Sequence, residues 1–471
     1  MSFSSIIFLF FFLPFAVIGY YLIRSELKNL FLLAASLLFY AWGEPKLVLL
    51  LLASILINYL LALRIKPRRE RSSGKAYVIV MLLWNFGVLF YYKYLAFALV
   101  NINAVIGTSM SIPDIALPLG ISFYTFRAVS YCLDVYRGTS AAQINPINAA
   151  LYISFFPQVT MGPITRYSEF EAQLKSRTVS IDSLSNAVKR IVVGLAKKVI
   201  LADQLGIMVD AVFSTPGTER TVMAAWLSAI AYTLQILYDF SGYSDMAIGI
   251  GQLFGFHFSE NFDKPYTSKS LSEFWRRWHI SLGAWFRDYV YIPLGGSRVQ
   301  GQARRIWNLF VVWVLTGLWH GAAWNFVAWG LLNFAVIAFE KVTKIPQKLK
   351  HPIGRYAYQA FTMLTVMFGW VLFRAGGLKN GFMHLACMFG LTGAAACTGA
   401  DLYTLQSNWV ILLISVICCI PIPVRLKQNS LTNRWPSVMD MLNPLWYAVL
   451  YIVGIAFAIG GTYQAFIYFN F

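Results

Sequence analysis

Between Arg305 and Glu340 the chain runs for 34 residues without a formally charged side chain. At about 1.5 Å per helical residue, residues 306–339 measure roughly 51 Å, against a bilayer core of about 30 Å. The run is therefore either one long tilted helix or two helical pieces broken near Gly317 and Gly321. Near its middle stands Trp319-His320-Gly321. An ionisable group deep in an apolar run is costly and marks a functional site by default.

Comparable apolar segments recur along the whole sequence, at 6–23, 29–42, 47–63, 76–100, 117–136, 149–161, 222–237, 246–254, 358–373, 409–424 and 445–469. Only 12% of residues are charged and 58% are hydrophobic, where a soluble domain carries about 25% charged residues. The expectation is an all-α integral membrane protein. It has about eleven transmembrane helices plus re-entrant or interfacial segments, in a single polytopic domain over 1–471. The net charge of +18 sits in short connectors at 64–75, 166–198, 341–355 and 425–434. That pattern predicts basic cytoplasmic loops and no nucleic-acid partner. Counting crossings back from 64–75 places the N-terminus outside the cell. The five cysteines show no metal-ligand spacing, and no metal is expected.

Residues 238–330 hold the chemistry. Tyr238-Asp239-Phe240-Ser241-Gly242-Tyr243-Ser244-Asp245 sets two carboxylates between apolar stretches. Asp239 and Asp245 either pair with Lys or Arg in the bundle or touch substrate. Asn261-Phe262 and Phe274-Trp275-Arg276-Arg277-Trp278-His279-Ile280-Ser281-Leu282 follow. Then come Trp285-Phe286-Arg287-Asp288-Tyr289, Tyr291-Ile292-Pro293-Leu294-Gly295-Gly296, and Trp319-His320-Gly321 with Trp324. Read as one helix over 273–288, the apolar members recur at three- and four-residue spacing. Such a helix lies at the interface or dips into the bilayer, with Arg276, Arg277 and Arg287 reaching the cytoplasmic surface. Guanidinium groups at that depth suit the phosphates of an anionic donor. They equally suit lipid headgroups. His257, His351 and His384 read as structural or surface residues.

Taken together, these motifs resemble the membrane-bound O-acyltransferase family. Residues 1–21, 119–137 and 197–203 resemble its bacterial branch that contains the alginate O-acetylation membrane subunit. The resemblance implies helices around a central tunnel, in which a cytoplasmic acyl thioester meets a hydroxyl acceptor from the other side. It matches the family's recurring intramembrane histidine to His320 and a second polar position to His279. Asn261, Arg276, Trp278, Arg287, Asp288, Tyr291, Trp319 and Trp324 are the expected donor- or acceptor-tunnel residues. It further implies acetyl-CoA as donor, an exopolysaccharide or cell-wall polymer as the modified product, and the bacterial cytoplasmic membrane as location. An extracytoplasmic SGNH-type acetyltransferase is the implied partner.

Ester formation needs a base for the attacking hydroxyl. A neutral imidazole is suited to that work, and apolar surroundings favour the neutral form. His320 is the expected base; His279 orients the acceptor, donates to the carbonyl oxygen or carries a second proton. Three other readings stand beside this one: D-alanyl transfer to teichoic acid from a carrier protein, a transporter or flippase, and a scaffold for a polysaccharide synthase. A transporter predicts duplicated halves with broken helices, and the sequence shows no duplication.

Overall fold

A computed structural model of the chain describes residues 1–65, 74–217, 219–420 and 436–461, the side chains of 436–441 excepted. The connector at 425–434, most of that at 64–75 and the end of the segment at 445–469 lie outside the described residues. All regular structure among the described residues is helical. Helices suit a bilayer because each backbone N–H and C=O finds its partner within the segment.

Among the described residues six helices are long and apolar enough to cross a membrane: Gly74–Ile106, Val222–Leu253, Trp324–Thr343, Pro352–Arg374, Gly399–Cys419 and Leu442–Gly460. Phe8–Leu22 and Val48–Arg64 are shorter apolar helices. The larger number expected from hydropathy differs for local reasons. The segment at 149–161 breaks into Pro146–Ser154 and Phe156–Val159, with Pro157 at the start of the second piece. The segments at 222–237 and 246–254 fuse into one helix of 32 residues. Hydropathy split that helix because Asp239 and Asp245 sit inside it. Both carboxylates are neutralised by cations. Lys198 Nζ lies 2.7 Å from Asp239 Oδ1 and 2.7 Å from Asp203 Oδ1, and Arg190 Nη2 lies 2.9 Å from Asp245 Oδ1. The pairing alternative for these two residues is the one observed.

The chain divides into two compact units. The first comprises residues 1–191 and 243–259, the second 192–242 and 260–471. In the first, Phe8, Phe12, Phe39 and Phe156 form an aromatic core with centroids between 5.3 and 6.4 Å apart. Asn58 and Asn85 exchange side-chain hydrogen bonds of 3.2 and 2.7 Å. These bonds link the helix Val48–Arg64 to the helix Gly74–Leu89. Each buried amide thereby satisfies the other.

The second unit is organised on a helical hairpin. The uncharged run at 306–339 resolves into two pieces, Gln302–His320 and Trp324–Thr343, called here the first and second arms. The break falls at Gly321, whose backbone is extended. The arms touch backbone to backbone. A Cβ on Gly317 would stand 2.5 Å from the Phe326 carbonyl oxygen, and one on Gly330 2.5 Å from that of Trp313. Small residues at a crossing give membrane helices this close contact.

Candidate active site

The predicted single helix over 273–288 is interrupted at its centre. A short helix, Leu271–Arg277, ends where Trp278 becomes extended, and a second, Ile280–Phe286, begins after His279. His279 itself is left-handed, with φ +45° and ψ 53°. That conformation costs an L-residue about 1–2 kcal/mol. Strain of this kind persists where surrounding bonds fix it. Here the Ile280 N–H donates to the Asn261 carbonyl at 3.0 Å, and the Asp263 N–H to the Arg277 carbonyl at 2.9 Å. The apolar spacing was real, but the strand-like contact with 261–263 outweighs helical continuity.

Asn261 is central to the turn. Its Oδ1 accepts from the Ser281 N–H at 3.1 Å and from Ser281 Oγ at 2.9 Å, and it stands 3.2 Å from His279 Nδ1. An oxygen serving two donors requires the third contact to be a donor as well, so the network places the proton of His279 on Nδ1. Nε2 then carries a lone pair, and it has no hydrogen-bond partner among the described residues. His279 lies outside the six helices that can span a membrane. Burial pulls its pKa down from 6.5 to about 3, which keeps the ring neutral.

His279 lines a pocket of about 340 Å³. Trp275, Trp278, Trp313 and Thr316 form walls with it, and Arg276, Arg287 and Lys341 supply cations. All three cationic residues are exposed. Arg287 Nε is paired with Asp288 Oδ1 at 2.7 Å. Tyr291 also lines the pocket, from the turn Arg287–Tyr291. The lining thus combines charge suited to an anion with aromatic and apolar surface.

His320 closes the first arm and is 3% exposed. Trp319, Trp329 and Phe373 surround it, with ring centroids at 5.0, 5.0 and 5.1 Å. It is not among the pocket-lining residues. Trp319 links the two histidines, with its centroid 6.3 Å from His279. Phe240, from the helix carrying Asp239, packs edge-on to His279 at 4.6 Å.

The structure therefore brings Arg276, Trp278, His279, Arg287 and Tyr291 to one pocket, with Asn261 and Asp288 bonded to its lining. Trp319 and His320 stand behind it. Trp324 heads the second arm and is 53% exposed, outside the pocket lining. Sequence reasoning missed Trp275, Trp313, Thr316 and Lys341. The signal available for the first two was tryptophan in an amphipathic segment and in an uncharged run, which reads as packing. His384 is a structural residue: Arg220 Nη1 lies 3.0 Å from its Nδ1, and its Nε2 lies 3.1 Å from the Ala225 carbonyl.

A helical, multi-span membrane protein with two buried histidines and an apolar pocket that three cationic residues also line has the make-up of an acyl-transfer enzyme. The chain belongs to the membrane-bound O-acyltransferase family, which residues 140–383 match. It is 40% identical to a probable alginate O-acetylase of Azotobacter vinelandii, across 88% of this chain and 84% of that protein. It is 31% identical to a peptidoglycan O-acetyltransferase of Helicobacter pylori, across 100% and 98%. It is also 30% identical to a teichoic acid D-alanyltransferase of Bacillus subtilis, across 54% and 68%. The chain is a multi-pass membrane enzyme of the O-acyltransferase class, and its relatives support O-acetylation of a polymer.

Proposed function

We propose that this chain takes an acetyl group from acetyl-CoA on the cytoplasmic side and delivers it to a hydroxyl arriving from outside, for O-acetylation of an exopolysaccharide or cell-wall polymer. The pocket carries the reading: three cationic side chains line the same apolar, aromatic passage as the neutral imidazole of His279. A pantetheine arm fits such a passage, with its phosphate at Arg276, Arg287 and Lys341. Guanidinium groups bind phosphate by two parallel hydrogen bonds.

The reaction then proceeds between the histidines. The acceptor oxygen attacks the thioester carbonyl while His320 removes its proton. The tetrahedral intermediate collapses, the C–S bond breaks, and His320 returns the proton to the leaving thiolate. No net proton is consumed. His279, with Nδ1–H held by Asn261, presents Nε2 only as an acceptor. It orients the acceptor molecule by accepting from a second donor beside the attacking oxygen, whose own proton goes to His320; it does not donate to the carbonyl oxygen. Positioned base catalysis of this kind contributes about 10²- to 10⁴-fold.

The reading sets the enzyme in the bacterial cytoplasmic membrane with its N-terminus outside. There an extracytoplasmic SGNH-type acetyltransferase receives the acetyl group and completes polymer modification. The D-alanyl alternative shares the pantetheine chemistry, but its relative covers only 54% of this chain.

The test is donor kinetics in nanodiscs with labelled acetyl-CoA. Replacing Arg276 and Arg287 by Gln is expected to raise KM for acetyl-CoA about tenfold, the weight of one charge-assisted hydrogen bond, with kcat little changed. An unchanged KM contradicts the assignment of the pocket. Turnover with a D-alanyl carrier protein and none with acetyl-CoA replaces the donor.

A further inference from the structure

The helix that delivers His279 has seven residues, too few to be stable alone. Its first N–H groups have no partners within the helix. Ser270 Oγ accepts from the Glu273 N–H at 3.1 Å. The other two donors are met from outside the segment, by one residue. Glu340 Oε1 accepts from the Leu271 N–H at 2.7 Å, and Oε2 from the Ser272 N–H at 2.9 Å. Tyr358 Oη donates to Oε1 at 3.2 Å.

Glu340 is on the second arm and 4% exposed. A carboxylate so deeply buried is costly unless its lone pairs are filled. Here two backbone amides and a hydroxyl fill them, and the bonds to the charged group are short and strong. Seven residues earlier on the same arm, Asn333 Oδ1 accepts from Trp275 Nε1 at 2.8 Å. Asn333 is oriented in turn by its own Nδ2, which donates to the Trp329 carbonyl at 2.8 Å. Two residues on one arm, about 10 Å apart along its axis, therefore grip the short helix at its start and at its middle.

The same arm also fixes His320. The Gly317 and Gly330 contacts register it against the first arm, and Trp329 packs on the His320 ring at 5.0 Å. The second arm thus serves as the common reference for both histidines, which stand on different segments.

We infer that Glu340 and Asn333 are positioning residues, which set the place of His279 in the reaction from the far end and the middle of the second arm. The inference rests on the reading of His279 under the proposed function. Neither residue is among the pocket-lining residues. Each acts through Leu271–Arg277 on the strained turn that follows.

A double-mutant cycle separates positioning from general packing. Glu340→Gln keeps the shape and removes one acceptor. In the otherwise native enzyme it is expected to lower kcat for acetyl transfer by about 10- to 100-fold, the scale of a small misplacement of a reacting group, with a smaller rise in KM for acetyl-CoA because Arg276 rides on the same helix. In a His279→Ala background it is expected to cost nothing further. Amide exchange in 271–280 should quicken in Glu340→Gln while the first arm stays protected. Asn333→Ala should repeat the pattern more weakly, and it serves if Glu340→Gln fails to fold. Equal losses in both backgrounds, or unaltered exchange in 271–280, overturn the positioning role alone. Native turnover in His279→Ala itself overturns the reading of the site on which this inference stands.

Discussion

His279 combines three properties that a packing residue does not need together: a left-handed backbone, a fixed Nδ1–H and a neutral ring. The last has a measurable consequence. Folding favours the unprotonated imidazole, so between about pH 3 and 6.5 the unfolded chain binds more protons than the folded one. The contribution of this residue is fully present above pH of about 6.5 and is lost as pH falls toward 3. Thermal unfolding in detergent is expected to show stability falling from about pH 7 to pH 5, with a shallower fall in His279→Gln. Identical slopes in the two proteins contradict a buried neutral ring. In the sequence His279 was visible by motif alone. Its neighbour Asn261 was equally visible, yet nothing in the spacing told that an amide 18 residues upstream would hold the ring nitrogen. Glu340 was legible only as the charge that ends an apolar run, because a carboxylate that caps a distant short helix leaves no periodic trace.

At the scale of elements, charge pattern misled where ion pairs intervene. Asp239 and Asp245 divided one helix into two apparent segments, and Lys198 and Arg190, far off in the chain, restore it. Conversely, glycine told more than hydropathy about the run at 306–339. Gly321 marks the turn, and Gly317 and Gly330 make the crossing that sets His320. Gly330→Ala forces a Cβ to 2.5 Å from the Trp313 carbonyl oxygen. Overpacking of this sort costs roughly 1–3 kcal/mol, and the unfolding temperature should drop accordingly. Gly87→Ala, where a Cβ meets nothing within 4 Å, is the matched control and should leave it unchanged or higher. Equal effects at the two positions contradict the tight crossing.

For the whole molecule, composition was decisive about class and family motifs about chemistry. An all-helical membrane protein followed from scarce charge and recurrent apolar runs, and its being an enzyme from the resemblance carried by the motifs. What lay beyond reach was the distribution of side chains between pocket and packing. Trp278 lines the pocket and Trp324 does not, though both looked alike as tryptophan in a motif. That distinction arises from the break at His279 and from the hairpin crossing, which are tertiary facts. The proposed acetyl transfer belongs at this scale, since that reading needs a donor face, an acceptor face and a base between them. The most direct measurement is single-turnover transfer from labelled acetyl-CoA by purified His320→Ala in nanodiscs, beside the native enzyme. The account predicts at least a 100-fold slower transfer with donor affinity and unfolding temperature retained; transfer at the native rate in that variant contradicts it.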